Sequence, residues 1–138
     1  MAATDDDPVT IPNEVRLFRR IHPEMVVFDD NRNHLRPTSQ NFQDSRDGTP
    51  MSVFAENLAH AHGELPSDFL QGRWSEWGLA AVMAGRMREL GQRVYSDSHN
   101  QDEHERFESH SAVAGSKKKV MKQMSATAEW VITPRSRP

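Results

Sequence analysis

The sequence predicts a single small α+β domain, with several short strands in a mixed sheet and two or three helices. Short apolar runs bounded by turn residues recur along the chain, as at Met25–Phe28, and are typical of strands. Stretches of helix formers end at a glycine, as at Ala55–His62 before Gly63. The 138 residues contain no cysteine, and a chain of this length can build one modest core without disulfides.

The ends of the chain are expected to lie outside this domain. Residues 1–13 are acidic and contain two prolines, which predicts a flexible acidic arm. The domain is expected over residues 14–133, and residues 134–138 are expected to form a frayed tail.

In the first half of the chain, Pro23 and the sequence Asp29-Asp30-Asn31 flank one β-branched segment. Asp47-Gly48 is a turn signal before another apolar segment. The expected order is a strand at Glu14–Ile21, a strand at Met25–Phe28, a polar loop at Asp29–Pro37, a turn at Asp44–Pro50, an apolar run at Met51–Phe54, a helix at Ala55–His62 and a helical turn from Pro66 to Gly72.

The stretch Ser75–Gly91 fits two interpretations. Its apolar residues share one face at helical spacing, but Gly78 and Gly85 would each cost about 1 kcal/mol inside a helix. We therefore prefer a buried strand at Gly78–Met83 followed by a short helix at Ala84–Leu90. The remaining expected elements are a strand at Arg93–Tyr95, a polar loop at Ser96–Glu108, a strand at Ser109–Ala114, a helix at Lys117–Trp130, and Val131-Ile132 closing the core.

Composition excludes several classes of function. The net charge of −3 and the isoelectric point near 6.1 disfavour a general nucleic-acid binder, which usually carries a basic face. Without cysteine there is no thiol catalysis and no zinc site of the cysteine type. No stretch has the length of a membrane span, and the acidic start lacks the features of a signal peptide, so we expect a cytoplasmic protein.

A polar cassette in the first half carries a family resemblance. With the later His110 and Val113, it resembles a family of small uncharacterised bacterial proteins with an Arg-x-His-Pro start, an Arg-Pro-Ser/Thr-Ser-x-x-Phe step, a Ser-Val step and a His-x-x-Val strand. The resemblance spans about residues 15–132, supports the strand-then-helix interpretation of Gly78–Gly91 and implies no catalytic residue. The matching cassette residues are Phe18, Arg19, Arg20, His22, Pro23, Arg36, Pro37, Thr38, Ser39, Phe42, Met51, Ser52 and Val53.

The same cassette supplies the candidate ligand-binding residues. A serine with a histidine is the minimum for an activated nucleophile, but there is no Gly-x-Ser-x-Gly elbow, and Asp29, Asp44 and Asp47 are equally possible third members. Arginine and hydroxyl side chains would alternatively hold the phosphate and ribose of a nucleotide, as in ADP-ribosyl-transferring enzymes. Capping and turn roles are the commoner use of such residues. The candidates are Arg20, His22, Arg36, Thr38, Ser39, Ser52 and His110.

The segment Lys117–Lys122 is a second candidate site. Lys118 and Lys122 lie one helical turn apart with Lys119 alongside, so these lysines would contact phosphate groups of a nucleic acid. A solvated helix face is the commoner explanation. The histidines around His104 match no known ligand spacing, so no metal site is predicted, and the sequence names no cofactor.

These observations favour a small cytoplasmic bacterial binding or accessory module that acts with a protein partner. The alternative is an enzyme or sensor that binds a nucleotide-type ligand in a pocket lined by His22, Arg36 and Ser39. Nucleic-acid contact through Lys117–Lys122 is the third hypothesis.

Overall fold

A computed structural model describes residues 5–43, 50–98, 107–115 and 117–135. These residues form a six-stranded sheet, a two-stranded hairpin and three α-helices in one small domain, which confirms the predicted α+β class. The elements in chain order are β1 Arg16–Ile21, β2 Val26–Asp29, β3 His34–Pro37, a first 3₁₀ helix Ser39–Phe42, β4 Met51–Ala55, α1 Glu56–Ala61, a second 3₁₀ helix Pro66–Leu70, a third 3₁₀ helix Gly72–Trp74, β5 Gly78–Met83, α2 Ala84–Glu89, β6 Arg93–Ser96, β7 His110–Ala114, α3 Lys118–Thr127 and β8 Glu129–Ile132.

The sheet has the strand order β6-β7-β4-β1-β5-β8, and every pairing in it is antiparallel. Successive side chains of each strand point to opposite faces. One face, here called the helix face, carries Leu17 and Ile21 and packs against α2, α3 and the first 3₁₀ helix. The other, here called the aromatic face, carries Phe18 and Phe54 and packs against the second and third 3₁₀ helices through Phe69.

The strand-then-helix interpretation of Gly78–Gly91 is confirmed. Strand β5 is almost entirely buried and pairs with β1 along its whole length. Its first residue has to be small, because a Cβ on Gly78 would lie 2.6 Å from the ring of Pro134. Helix α2 then ends before Gly91, whose φ of +84° is the left-handed conformation that favours glycine.

The predicted polar loop at Asp29–Pro37 is wrong, because it contains strand β3. The segment His34–Pro37 has no β-branched residue, so strand propensity does not reveal it. Its conformation comes from pairing with β2, in the register Phe28 opposite Leu35. The turn between the two strands places Asn33 at a φ of +55°, which asparagine tolerates better than most residues.

The predicted helix at Lys117–Trp130 is too long. Helix α3 ends at Thr127, Ala128 is extended, and Glu129–Ile132 forms the edge strand β8 beside β5. Pairing with β5 satisfies the backbone of Trp130 in an extended conformation. The sequence gives no sign of this boundary, because no proline or glycine lies between Thr127 and Trp130.

Residues near both predicted boundaries pack onto the domain. Ile11 is fully buried in the core, and the backbone N–H of Asp7 donates to the carbonyl of Val94 at 2.9 Å. At the other end, the N–H of Arg135 donates to the carbonyl of Glu76 at 3.1 Å. The folded unit therefore extends beyond residues 14–133. Most of the predicted turn at Asp44–Pro50 and of the predicted loop at Ser96–Glu108 lies outside the described residues, as do the outermost residues of the predicted arm and tail.

Within the ranges that the structure describes, no helix is both long enough and apolar enough to span a bilayer.

Candidate functional site

Strand alternation divides the sequence-predicted residues between the two faces of the sheet. Arg20 has the parity of Phe18 on β1, and Ser52 has the parity of Phe54 on β4, so both belong to the aromatic face. His22 contacts Trp77 and His110 contacts Phe54, which places them there too. The residues on the side of the helix face are Arg36, Thr38, Ser39, Lys118, Lys119 and Lys122.

Arg20 is held by aromatic packing. Its guanidinium carbon lies 3.6 Å from the ring centre of Trp74 and 4.9 Å from that of Phe54. Its Nε donates to the carbonyl of Phe69 at 2.6 Å. These cation–π and hydrogen-bond contacts join β1 to the second and third 3₁₀ helices. They give Arg20 a structural role on the aromatic face.

The two candidate histidines also make local contacts. Nδ1 of His22 accepts a hydrogen bond from the N–H of Glu24 at 3.0 Å, and its ring meets Trp77 edge-on at 5.0 Å. His110 is buried, with Nδ1 2.8 Å from the carbonyl oxygen of Asp97. Neither Ser39 nor Ser52 is hydrogen-bonded to a histidine ring within the described residues, so no serine nucleophile is assembled there.

An open groove of about 610 Å³ lies between the β2–β3 hairpin, the first 3₁₀ helix and α3. It brings together Arg36 and Ser39 of the cassette with Lys122 of the lysine helix, two groups that the sequence presented as separate sites. His22 does not line it, because it lies on the other face of the sheet. The lining residues are Asp29, Asn31, Arg32, Arg36, Ser39, Lys122, Ser125 and Ala126.

Side-chain hydrogen bonds fasten the hairpin to α3 and β8. The buried hydroxyl of Ser125 donates to the carbonyl of Pro37 at 2.5 Å and accepts from Nη1 of Arg36. Arg32 donates to the carbonyl of Ala126 in the last turn of α3, a favourable position for a cation. On the adjoining strand, Nε1 of Trp130 donates to the carbonyl of Leu35 at 2.9 Å.

The groove is electropositive. Arg32, Arg36 and Lys122 give three positive charges, and Asp29 gives one negative charge, so the lining carries a formal charge of +2. Asp29 Oδ2 lies 3.4 Å from Nε of Arg36 and fixes its position. Lys122 has no ion pair or hydrogen bond with any other described residue.

Hydrogen bonds of Arg19 and Asn41 hold the first 3₁₀ helix in place beside the groove. Arg19 donates to the carbonyls of Asn41 and Ser52, at 2.9 and 2.8 Å. Burial, and secondarily the nearby charge of Arg20, lowers the pKa of Arg19 to about 10, so it is still charged at neutral pH. Asn41 in turn donates to Oγ1 of Thr38 at 3.2 Å. Thr38 therefore helps to fix the backbone next to Ser39, which lines the groove.

Sequence reasoning missed four polar groove residues: Asp29 as a lining residue, Asn31, Arg32 and Ser125. The first three lie in what the sequence presents as a polar loop. Ser125 lies three residues after Lys122, so it shares a face of α3 with that lysine. This spacing is the one feature of the sequence that links Ser125 to the predicted lysine site.

The hairpin also exposes apolar side chains. The exposed fractions are 39% for Val27, 51% for Phe28 and 40% for Leu35. Phe28 and Leu35 are opposite each other on one face of the hairpin, whereas Val27 shares the other face with Arg36. Half of the six exposed large apolar residues found in the described residues lie on this one small element.

The edge of β2 is open. The carbonyls of Leu35 and Pro37 accept from side chains of β8 and α3, so they point away from β2. Phe28 is directly opposite Leu35, and in an antiparallel pair of this kind both residues direct their backbone groups outward. The N–H and C=O of Phe28 therefore point to the outer edge of β2, where no further strand pairs among the described residues.

A histidine metal site finds no support in the described residues, which contain no group of three or more potential ligands. His99 and His104 lie outside those residues.

Comparisons with protein-family models, curated proteins and solved structures gave no match to this chain. The resemblance to a family of small bacterial proteins therefore stays a prediction.

Proposed function

We propose that this protein is a small accessory module of the bacterial cytoplasm that binds a protein partner through the β2–β3 hairpin. The observation that carries the proposal is the open edge of β2, the strand that contains the exposed Phe28. A strand edge with unpaired backbone groups is a template for an extended segment of another chain.

The exposed side chains of the hairpin favour a protein over a small molecule as its ligand. Small-molecule sites are concave and surround the ligand. Phe28 and Leu35 are instead exposed side by side as a directly opposite cross-strand pair, which makes one apolar surface. A partner segment that pairs with β2 would cover Phe28 with alternate side chains while its backbone bonds to the N–H and C=O of Phe28.

The hairpin is rigid enough to act as a preformed surface. Bonds from Arg32, Arg36 and Trp130 hold it against α3 and β8. A preformed edge costs less conformational entropy on binding than a flexible loop would.

The test is native mass spectrometry of the tagged protein purified gently from its own host. We expect a stoichiometric second polypeptide with the wild type and with the control Leu65→Asp, because Leu65 is 61% exposed on a different part of the surface. The variant Phe28→Asp should lose that polypeptide while remaining folded by circular dichroism. A complex that survives Phe28→Asp, a second copy of the same chain, or a bare wild-type monomer would contradict the proposal.

A further inference from the structure

We propose that the groove between the hairpin and α3 binds the phosphate group of a small phosphate monoester. This site is separate from the proposed partner surface at Phe28. Phe28 points to the opposite face of the hairpin from Asp29 and Arg36, which line the groove.

The charge of the lining matches that ligand. Three cations and one carboxylate leave a formal charge of +2, and a phosphate monoester carries about −1.5 to −2 at pH 7. Arg32 and Arg36 approach from the hairpin and Lys122 from α3, so the positive charges surround the groove from two sides.

Several hydrogen-bond donors in the groove are unused within the described residues. They are Nη2 of Arg36, Nζ of Lys122, the hydroxyl of Ser39 and the side-chain amide of Asn31. Three terminal phosphate oxygens can accept from all four. A carboxylate has about four acceptor sites on only two oxygens and carries a single negative charge. The donor set together with the +2 charge of the lining therefore favours phosphate over carboxylate.

The two arginines of the groove are already held in place. Arg36 is fixed by Asp29 and by the buried hydroxyl of Ser125, and Arg32 is fixed by the carbonyl of Ala126. Ordering these two long side chains therefore adds little to the entropic cost of binding, whereas Lys122 has to become ordered when a ligand binds.

The volume points to a small molecule. At about 610 Å³ the groove lies within the range of roughly 300–1,000 Å³ that is usual for small-ligand sites. It has room for a phosphate and for the organic group esterified to it. The net charge of −3 for the whole chain disfavours a nucleic-acid backbone as the source of the phosphate.

The experiment is a titration followed by nitrogen–proton NMR of the full chain, with inorganic phosphate, phenyl phosphate and AMP as probes at constant ionic strength. We expect shifts at the side-chain Nε of Arg36 and at the backbone amides of Ser39 and Lys122. If AMP binds more tightly than phenyl phosphate, the ligand is a nucleotide. If the two bind with equal affinity, the ligand is another class of phosphate ester. Either result supports the site.

The decisive variant is Lys122→Ala, with Lys119→Ala as its matched control. Both lysines are exposed on α3, but only Lys122 lines the groove. Losing one charge-assisted hydrogen bond should weaken phenyl phosphate binding about 10-fold or more in Lys122→Ala and less than about 2-fold in Lys119→Ala. Affinity should also fall between pH 7 and pH 5, since the second pKa of a phosphate ester is about 6.

Equal weakening in the two lysine variants would mean a diffuse positive field, and shifts located away from Arg36 would mean a different site. Either result, or an absence of shifts at millimolar ligand, would overturn the inference. The partner proposal is tested apart from it, because Lys122→Ala should retain the partner and Phe28→Asp should retain phosphate binding.

Discussion

Two arginines from the same cassette, Arg20 and Arg36, behave differently because they lie on opposite faces of the sheet. Arg20 on the aromatic face lies over the Trp74 ring and bonds the Phe69 carbonyl, so its contacts serve packing. Arg36 on the helix-face side lies in an open groove and keeps one nitrogen unbonded among the described residues. Residue type alone does not distinguish these two arginines. The difference is that the surroundings of Arg20 are packed with aromatic rings, whereas Arg36 borders an open groove.

Substitutions on the aromatic face are therefore expected to lower stability, and substitutions on the hairpin and its groove to weaken binding. The strongest effect that checks this division is on stability. Phe69 is fully buried and stacks on Phe54 at 4.1 Å. Phe69→Ala should lower the free energy of unfolding by about 3–5 kcal/mol, measured by urea denaturation. A loss below about 1 kcal/mol would show that this face is not the packed core described above.

Arg20 should give the next largest effect. Arg20→Ala removes a charged hydrogen bond and two cation–π contacts, so we expect a loss of about 2–3 kcal/mol in urea denaturation. Its control is Arg73→Ala, since Arg73 is exposed and lies over the same Trp74 ring at 4.3 Å. The control should lose less than about 1 kcal/mol. If Arg20→Ala abolished phosphate binding without changing stability, the division between the faces would fail.

Ser125 joins the hairpin to α3, in the region where we expect binding. Ser125→Ala leaves the buried Pro37 carbonyl without that donor, so a loss of about 1–3 kcal/mol is expected. Amide hydrogen exchange in β2 and β3 should accelerate more than exchange in β1 and β5. Ser39→Ala, which breaks no hydrogen bond among the described residues, is the control and should leave exchange unchanged. Uniform acceleration across the sheet would argue against a local fastening.

The smallest effect concerns a pair that belongs to neither binding surface. A hydrogen bond from Arg16 holds the pKa of Glu56 below its ordinary value, and both side chains are about 40% exposed. The pair should therefore contribute no more than about 0.5–1 kcal/mol. Because the folded-state pKa is lowered, that contribution is present above the unfolded pKa near 4.5 and is lost as the pH falls through the folded value.

The comparison is between the wild type and Glu56→Gln in urea denaturation at several pH values. The wild type should be slightly more stable at pH 7, and the difference should vanish at lower pH. A difference that grew on acidification would contradict the assigned direction of the pKa shift.

Local sequence signals predicted much of the fold because several elements depend on neighbouring residues. The glycines at 63 and 91 end helices through their own φ values, and the buried run Gly78–Met83 has the length of a strand. Strand β3 was missed because its conformation depends on its partner strand. The C-terminal limit of α3 was missed because β8 is fixed by pairing with β5.

The candidate site was harder to predict because it depends on contacts between distant parts of the chain. Arg36 and Ser125 are 89 positions apart, and no local pattern brings a hairpin to the side of a helix at that separation. Strand alternation does assign Arg20 to the face of Phe18. The pocket predicted from His22, Arg36 and Ser39 keeps only the last two as lining residues, since His22 follows β1 to the opposite face.

We have proposed that the hairpin, and not the aromatic face, contacts a partner. Site-specific photo-crosslinking in the host tests this, with a benzophenone side chain placed at Phe28 in one variant and at Arg73 in another. Both residues are exposed, and each represents one of the two regions. We expect a discrete heterologous adduct from position 28 and none from position 73. An adduct from position 73 with none from position 28 would contradict the proposal.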